Sequence, residues 1–231
     1  EYRDQHQVLS QALEAGDTTG ATPYIKDVML GTSKMELSAQ ALQTQVNASR
    51  NEIMRLQSEL SRVRNEALLD PLTRILNRRG FDQELAAMMQ SQPGPQGAHC
   101  LVMIDIDHFK KVNDTHGHVT GDRVIQALGE VLKQTVTDPA HAVARYGGEE
   151  FAVLMPNCQL DDCARMAETI RTRVKSMKVR NKKTQEVMLT VTVSLGLTCQ
   201  ADGDDAATLI ARADAALYQS KQGGRDRVTK A

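Results

Sequence analysis

The sequence predicts an α/β sandwich with a mostly antiparallel central sheet, preceded by a long helical stalk that forms a coiled coil. Three observations carry this prediction. Residues 25–67 hold a seven-residue repeat with an apolar seam and no strand-like run. After residue 70, helix-period and strand-period segments alternate. Gly147-Gly148 stands between the β-prone runs 142–146 and 151–155, which marks a tight hairpin and therefore antiparallel pairing.

Taken in order, residues 1–15 read as a short helix and 16–20 as a loop. Thr22 is a fitting N-cap, with Pro23 at the first helical position. From there Ile25, Thr32, Ala39, Val46, Ile53, Leu60 and Ala67 occupy one heptad position, and Val28, Met35, Leu42, Ser49, Leu56 and Val63 the other. Val46 and Ile53 at position a, with Leu42 and Leu56 at d, favour a parallel two-stranded coil. A helix over residues 22–68 would be roughly 70 Å long at about 1.5 Å per residue. It cannot bury its own stripe, and residues 1–15 are too short to cover it, so a homodimer is expected. Gly31, Thr32 and Ser49 are the weak points of the seam. Asp70-Pro71 ends the helix, because the residue before proline is pushed out of the α region. A hinge is expected there, between a helical region at 1–68 and a second domain at 69–231.

In that domain, residues 71–90 read as an amphipathic helix broken near 77–80, and 92–97 as a loop. Residues 99–107 form a strand that is apolar until its closing aspartates. Helices are expected at 121–135, 161–177 and 206–220, a strand within 187–198, and a last short strand at 227–229.

Composition narrows the function classes. Lys+Arg 28 against Asp+Glu 29 leaves no polybasic signature for nucleic acid or membrane. No apolar run approaches the roughly 18 residues of a membrane span. The chain begins at Glu1 rather than Met, as a piece of a longer protein would, so the lack of a leader or membrane segment describes these residues only. Cys100, Cys158, Cys163 and Cys199 have no CxxC spacing and read as reduced, mostly buried thiols of a cytoplasmic protein rather than as a metal site. With no Trp and 3% aromatic residues, the core must be built from aliphatics and Met.

The chemistry-bearing residues fall at element ends. Glu149 and Glu150 follow the glycine pair, whose expected role is to reach φ > 0 and to let a phosphate come close. Adjacent acids there suit either a hard cation or a solvated hairpin tip. Asp105-Ile106-Asp107 closes the apolar strand, as a ligand site or a plain polar terminus. The glycines around His118 suggest a tight loop that approaches a ligand. Asn113 and Asp122 offer an amide and a carboxylate that suit the edge of guanine. Lys221 and Arg225 flank a glycine pair, as a phosphate clamp or an ordinary basic helix C-terminus.

No one element decides between these readings; the set and its order do. Asp-Pro-Leu-Thr-Arg-Ile-Leu-Asn-Arg-Arg-Gly-Phe (70–81), Asp-Ile-Asp-His-Phe-Lys-Lys-Val-Asn-Asp (105–114), Gly-His-Val-Thr-Gly-Asp (117–122), Arg-Tyr-Gly-Gly-Glu-Glu-Phe (145–151), Thr-Val-Ser-Leu-Gly (192–196) and Ala-Leu-Tyr-Gln-Ser-Lys-Gln-Gly-Gly-Arg (216–225) closely resemble the GGDEF family of diguanylate cyclases. The resemblance covers about residues 69–229 and leaves out 1–68. It implies a ferredoxin-like, palm-type nucleotide cyclase sandwich, and a nucleotidyltransferase that condenses two GTP into cyclic di-GMP and two pyrophosphates. It further implies Mg²⁺ (or Mn²⁺) on Asp105, Glu149 and the Ile106 carbonyl, with Glu150 supporting the metal and phosphates. It places Lys110 at the transition-state charge, Asn113 and Asp122 on guanine, His118 at the nucleotide, and Lys221 and Arg225 on the triphosphate. Either Glu149 or the metal it binds would activate the attacking hydroxyl. Each domain would hold one GTP, so two must meet, which gives the coiled coil a purpose.

One departure is visible. Many members carry an Arg-x-x-Asp inhibitory site; here Asp138 and His141 stand at those two positions, so strong product inhibition through it is not expected. Competing readings are an inactive domain that binds GTP or cyclic di-GMP, a maker of mixed cyclic GMP-AMP, and a coiled-coil interaction module. The intact acids and Lys110 argue against the first, and Asp122 against the second. Residues 1–68 show no recognisable sensor, which leaves a regulatory protein or an upstream sensor domain as the expected input.

Overall fold

A long helix and a five-stranded sheet organise the chain, which the computed structural model describes over residues 2–14, 18–94, 97–180 and 187–231. It divides into two compact units, Glu1–Arg64 and Asn65–Ala231. The first contains α1 (Tyr2–Glu14) and nearly all of α2 (Thr18–Glu66). The expected loop at 16–20 is corrected in part: 16 and 17 lie outside the described residues, and Thr18, Thr19 and Gly20 are already helical. Pro23 therefore sits inside α2 rather than at its start. There its ring nitrogen cannot donate, so the helix lacks one backbone hydrogen bond near its start. Leu42, Val46, Ile53, Leu56 and Leu60 of the heptad seam are all exposed on the single chain. Thr32, a weak seam position, returns its hydroxyl to the Val28 carbonyl at 2.8 Å.

The second unit holds α3 (Arg78–Gln90), β1 (Ala98–Ile106), α4 (Phe109–His116), α5 (His118–Thr135), β2 (Ala142–Arg145), β3 (Glu150–Cys158), α6 (Leu160–Ser176), β4 (Val179–Arg180), β5 (Val187–Leu189), β6 (Val193–Cys199), α7 (Ala206–Gln222) and β7 (Val228–Lys230). The main sheet runs β2-β3-β1-β6-β7; all its pairs are antiparallel except β6–β7. The fold is thus the mixed α/β arrangement with a mainly antiparallel sheet that the hairpin predicted.

β1 lies at the centre and is buried on both faces, which is why its sequence is a continuous apolar run. Cys100, Val102, Ile104 and Ile106 face the layer of α5 and α6. Leu101 and Met103 face α3 and α7. This two-residue alternation decides where the acids at the strand end point.

Several local expectations are corrected. Residues 71–73 form a turn, Leu76 makes isolated bridges to Leu69 and Ala144, and helix α3 begins only at Arg78. Asp70 Oδ1 accepts from the Thr73 amide at 2.9 Å and hydroxyl at 2.7 Å, which satisfies a turn rather than a helix start. Asn77 is the N-cap, accepting from Gly80 N at 3.0 Å. The stretch around His118 is two helices, α4 and α5, joined at Gly117 with φ +79°. The region 187–198 contains two strands, not one, and β5 pairs with the unexpected β4. Cys100 and Cys199, read as thiols, are joined in a disulfide with their Cα atoms 4.0 Å apart. Residues 99 and 200 share a backbone hydrogen bond, so 100 and 199 form the adjacent closely spaced cross-strand pair. Cys158 and Cys163 are free and buried. Among the described residues no helix is long and apolar enough to cross a membrane.

Candidate active site

The site gathers at the end of β1. Asp105 shares the odd-numbered face with Leu101 and Met103, so the pleat aims it at the α7 side. On α7, Lys221 follows Leu217 by four residues, one helical turn on, and so shares its face. The two periodicities meet: Lys221 Nζ lies 2.7 Å from Asp105 Oδ2, with the carboxylate almost wholly buried. Burial pushes the Asp105 carboxyl above its ordinary range, against the pull of Lys221 and, less strongly, Arg225.

The hairpin delivers the second acid. Glu150 is the register partner of Asp105, and the Ile106 amide donates to the Glu149 carbonyl at 3.4 Å. Burial, and then the charge of Asp105, raise the Glu149 carboxyl, with Lys221 opposing. Crowded carboxylates that resist ionisation are a setting that a cation relieves.

The glycine pair has a different reason from the one expected. Among the described residues Gly147 and Gly148 are not at positive φ. A Cβ on Gly147 would instead sit 2.6 Å from Glu150 Oε2, whereas one on Gly148 would meet nothing within 4 Å. Gly147 lies against the tip of the Glu150 carboxylate, and neither glycine serves a left-handed turn. The turn is held from behind by Arg145, which donates from Nε to the Gly147 and Gly148 carbonyls at 3.1 Å each and from Nη2 to Gly148 at 2.7 Å.

Asn113 on α4 packs directly on Gly121 of α5, where a Cβ would lie 1.9 Å from Asn113 Oδ1. That oxygen is buried and has no hydrogen-bond partner, the condition of an acceptor left for a ligand. Asp122 follows Gly121 and is exposed, as are His118 and Lys110. The structure thus brings Asp105, Glu149, Glu150, Lys221 and Arg225 together; Asn113 and Asp122 form a separate α4–α5 pair, and Lys110 and His118 face solvent. Asp107, the other acid of the strand end, makes no ion pair among the described residues and is taken up by hydrogen bonds to Thr192 and Ser194.

Among the described residues no three His, Cys, Asp or Glu side chains are arranged to hold a metal ion. Asp105, Glu149 and the carbonyl of Ile106 offer two carboxylates and one backbone oxygen. All three are oxygen donors, the kind a hard divalent cation takes, with water and substrate phosphates left to complete its shell. Asp138 and His141 lie elsewhere, 3.9 Å apart, on a cavity of about 750 Å³ that also meets Asp162, Arg165 and Arg173.

With this geometry in place, comparison with known proteins is direct. The model of the family described as diguanylate cyclase, GGDEF domain, matches residues 67–227. The chain is 36% identical over 204 residues to the diguanylate cyclase VdcA of Vibrio cholerae, covering 88% of this chain and 59% of VdcA. It is 44% identical over 167 residues to the uncharacterized protein YhcK of Bacillus subtilis, 71% of this chain and 45% of that one. It therefore spans about half the length of these curated relatives. Among solved structures, the coiled coil and GGDEF domain of DgcB from Caulobacter crescentus, in complex with c-di-GMP, superposes with a TM-score of 0.75 at 39% identity, covering 82% of this chain and 99% of that one. The diguanylate cyclase SiaD of Pseudomonas aeruginosa, in complex with its activator SiaC, gives a TM-score of 0.73 at 30% identity, covering 100% of this chain and 89% of SiaD.

Proposed function

The chain belongs to the GGDEF family of diguanylate cyclases, and from that premise we propose that it condenses two GTP into cyclic di-GMP and two pyrophosphates as a homodimer. The observation that carries the proposal is the convergence of Asp105, Glu149 and Glu150 with Lys221 at one end of the central strands. Acids for a metal and cations for phosphates stand side by side, as attack of a 3′-hydroxyl on an α-phosphate requires.

In this reading Asp105, Glu149 and the Ile106 carbonyl would hold Mg²⁺ or Mn²⁺, with Glu150 in support. The ion would lower the hydroxyl's pKa and offset charge on the phosphate. Lys221 exchanges its bond with Asp105 for the triphosphate, and Arg225 joins it there. Lys110, exposed at the start of α4, meets the charge that develops on the α-phosphate. Asn113 and Asp122 read guanine and His118 lines its pocket. The exposed seam of α2 pairs two chains, which raises the effective concentration of the two half-sites.

The likeness to SiaD across the whole chain supports one further element, control by a regulatory protein. The deciding experiment is incubation with GTP and Mg²⁺ and separation of the products. Cyclic di-GMP that disappears with Glu149→Ala is the expected result. Tight GTP binding without turnover in the unaltered protein would overturn the proposal in favour of an inactive nucleotide-binding module.

A further inference from the structure

We propose that Asp107 and Asp226 are positioning residues that hold Arg225 toward the triphosphate of bound GTP; this rests on the role given to Arg225 above. The first observation is that both carboxylate oxygens of Asp107 are engaged within the chain. It is buried, and Oδ1 accepts from Ser194 Oγ at 2.6 Å. Oδ2 accepts from Thr192 Oγ1 at 2.7 Å and from the Asp226 amide at 3.1 Å. Its own amide donates to the Thr192 carbonyl at 2.9 Å. The hydroxyl bonds tie the end of β1 to β6, and the remaining one reaches across the chain to the loop after α7.

That loop is the second observation. Gly224, Arg225 and Asp226 stand at φ +109°, +64° and +45° in succession. Two consecutive non-glycine residues in the left-handed region persist only where their surroundings over-determine them. Here they do. The Arg225 amide donates to the Ser220 carbonyl at 3.0 Å. Asp226 is held by its amide on Asp107, and its carboxylate is gripped by two cations of α6, Arg171 Nη1 at 2.6 Å and Lys175 Nζ at 2.5 Å. The backbone of Arg225 is thus fixed on both sides while its side chain is exposed, close enough to Asp105 to favour that acid's ionised form.

Pinning a strained backbone is a way to present one side chain without a search cost at binding. A purely structural staple between β1 and β6 would need only the Thr192 and Ser194 bonds. The Asp226 bond and the α6 clasp serve the loop.

The test is a double-mutant cycle on the full chain, read as KM for GTP, kcat and Tm. Asp226→Asn keeps the backbone amide and tolerates positive φ, so it weakens the clasp by removing its charge and leaves the bond to Asp107 in place. Expected are a rise in KM of about tenfold for Arg225→Ala, as for loss of a charge-assisted hydrogen bond, and a smaller rise for Asp226→Asn with kcat little changed. The double variant is expected to be no worse than Arg225→Ala. Asp107→Asn, if it folds, is expected to raise KM in the same non-additive way. Multiplying effects, or a change in Tm with KM untouched, would overturn the positioning role. An unchanged KM for Arg225→Ala alone would instead overturn the triphosphate role of Arg225, and this inference with it.

Discussion

Arg145 donates to Asp70 Oδ2 at 3.1 Å across 75 residues of sequence, while the rest of the same guanidinium grips the Gly147 and Gly148 carbonyls. The acidic turn is thus anchored to the Asp70-Pro71 segment near the start of the second unit. Burial works against the Asp70 carboxylate, yet the Thr73 hydrogen bonds and the charge of Arg145 together hold it below its ordinary range. Arg145→Lys keeps the charge and loses the planar fork. It is expected to cost about 1–3 kcal/mol of stability, as for hydrogen bonds to charged groups, and to lower kcat more than it raises KM. Urea unfolding with steady-state kinetics checks this; unchanged kcat would separate the clasp from catalysis.

Glu149 offers a test with a definite sign. Its carboxyl and that of Asp105 are raised in the folded protein, so the folded state binds protons more tightly than the unfolded chain. Their ionisation therefore opposes folding: stability contributed by protonation is gained as pH falls through the raised values and lost as it rises past them. At neutral pH without metal, Glu149→Gln is expected to leave Tm unchanged or higher while abolishing product. Mn²⁺ affinity is expected to run the opposite way, weakening on acidification before the ordinary carboxylate range is reached. Thermal melts across pH, with and without Mn²⁺, read both; a marked loss of Tm in Glu149→Gln at neutral pH contradicts the argument.

Gly121→Ala would drive a methyl into Asn113 Oδ1. Overpacking of this kind costs about 1–3 kcal/mol, and displacement of the amide is expected to raise KM for GTP about tenfold or more. Gly117→Ala is the control: its Cβ meets nothing within 4 Å, but φ is +79°. With ψ +158° that backbone is essentially reserved for glycine, so the variant is expected to lose on the order of 1–3 kcal/mol from strain, with KM near that of the unaltered protein. Equal KM effects from both would show that loop strain, not Asn113, governs binding.

Ile53→Glu places a charge in the exposed seam of α2. It is expected to turn a dimer into a monomer in sedimentation, and to make specific activity rise with protein concentration. Full activity of a monomeric variant at submicromolar concentration would sink the requirement for two chains.

With Asp138 and His141 where many members carry the Arg-x-x-Asp site, no strong inhibition of the initial rate through that site is expected as cyclic di-GMP is added. Half-inhibition near micromolar product would overturn this.

Much of the fold was legible because its signals are strong and local. The apolar run of β1, the Gly147-Gly148 punctuation and the amphipathic α6 and α7 sit within a few residues of their expected places. Helix α4 was missed because residues 109–116 carry only Phe109 and Val112 as apolar contacts, too few to show a period. Strand β4 has two residues, too short for any pattern. The Cys100–Cys199 pairing spans 99 residues and leaves no local trace.

By itself the sequence determined the identity and order of the chemical groups, the heptad period of α2 and the antiparallel hairpin. These depend on residue type and short-range periodicity. Only the tertiary structure decided which aspartate of the β1 end pairs with a cation and which is held by hydrogen bonds, since Asp107 meets Thr192, Ser194 and Asp226 far along the chain. Likewise it decided that Gly147 lies against Glu150, that Gly121 yields to Asn113, and that Lys221 is the partner of Asp105. Those relations arise where a pleat of period two meets a helix of period 3.6 from another part of the chain, and the meeting is set by packing rather than by local order.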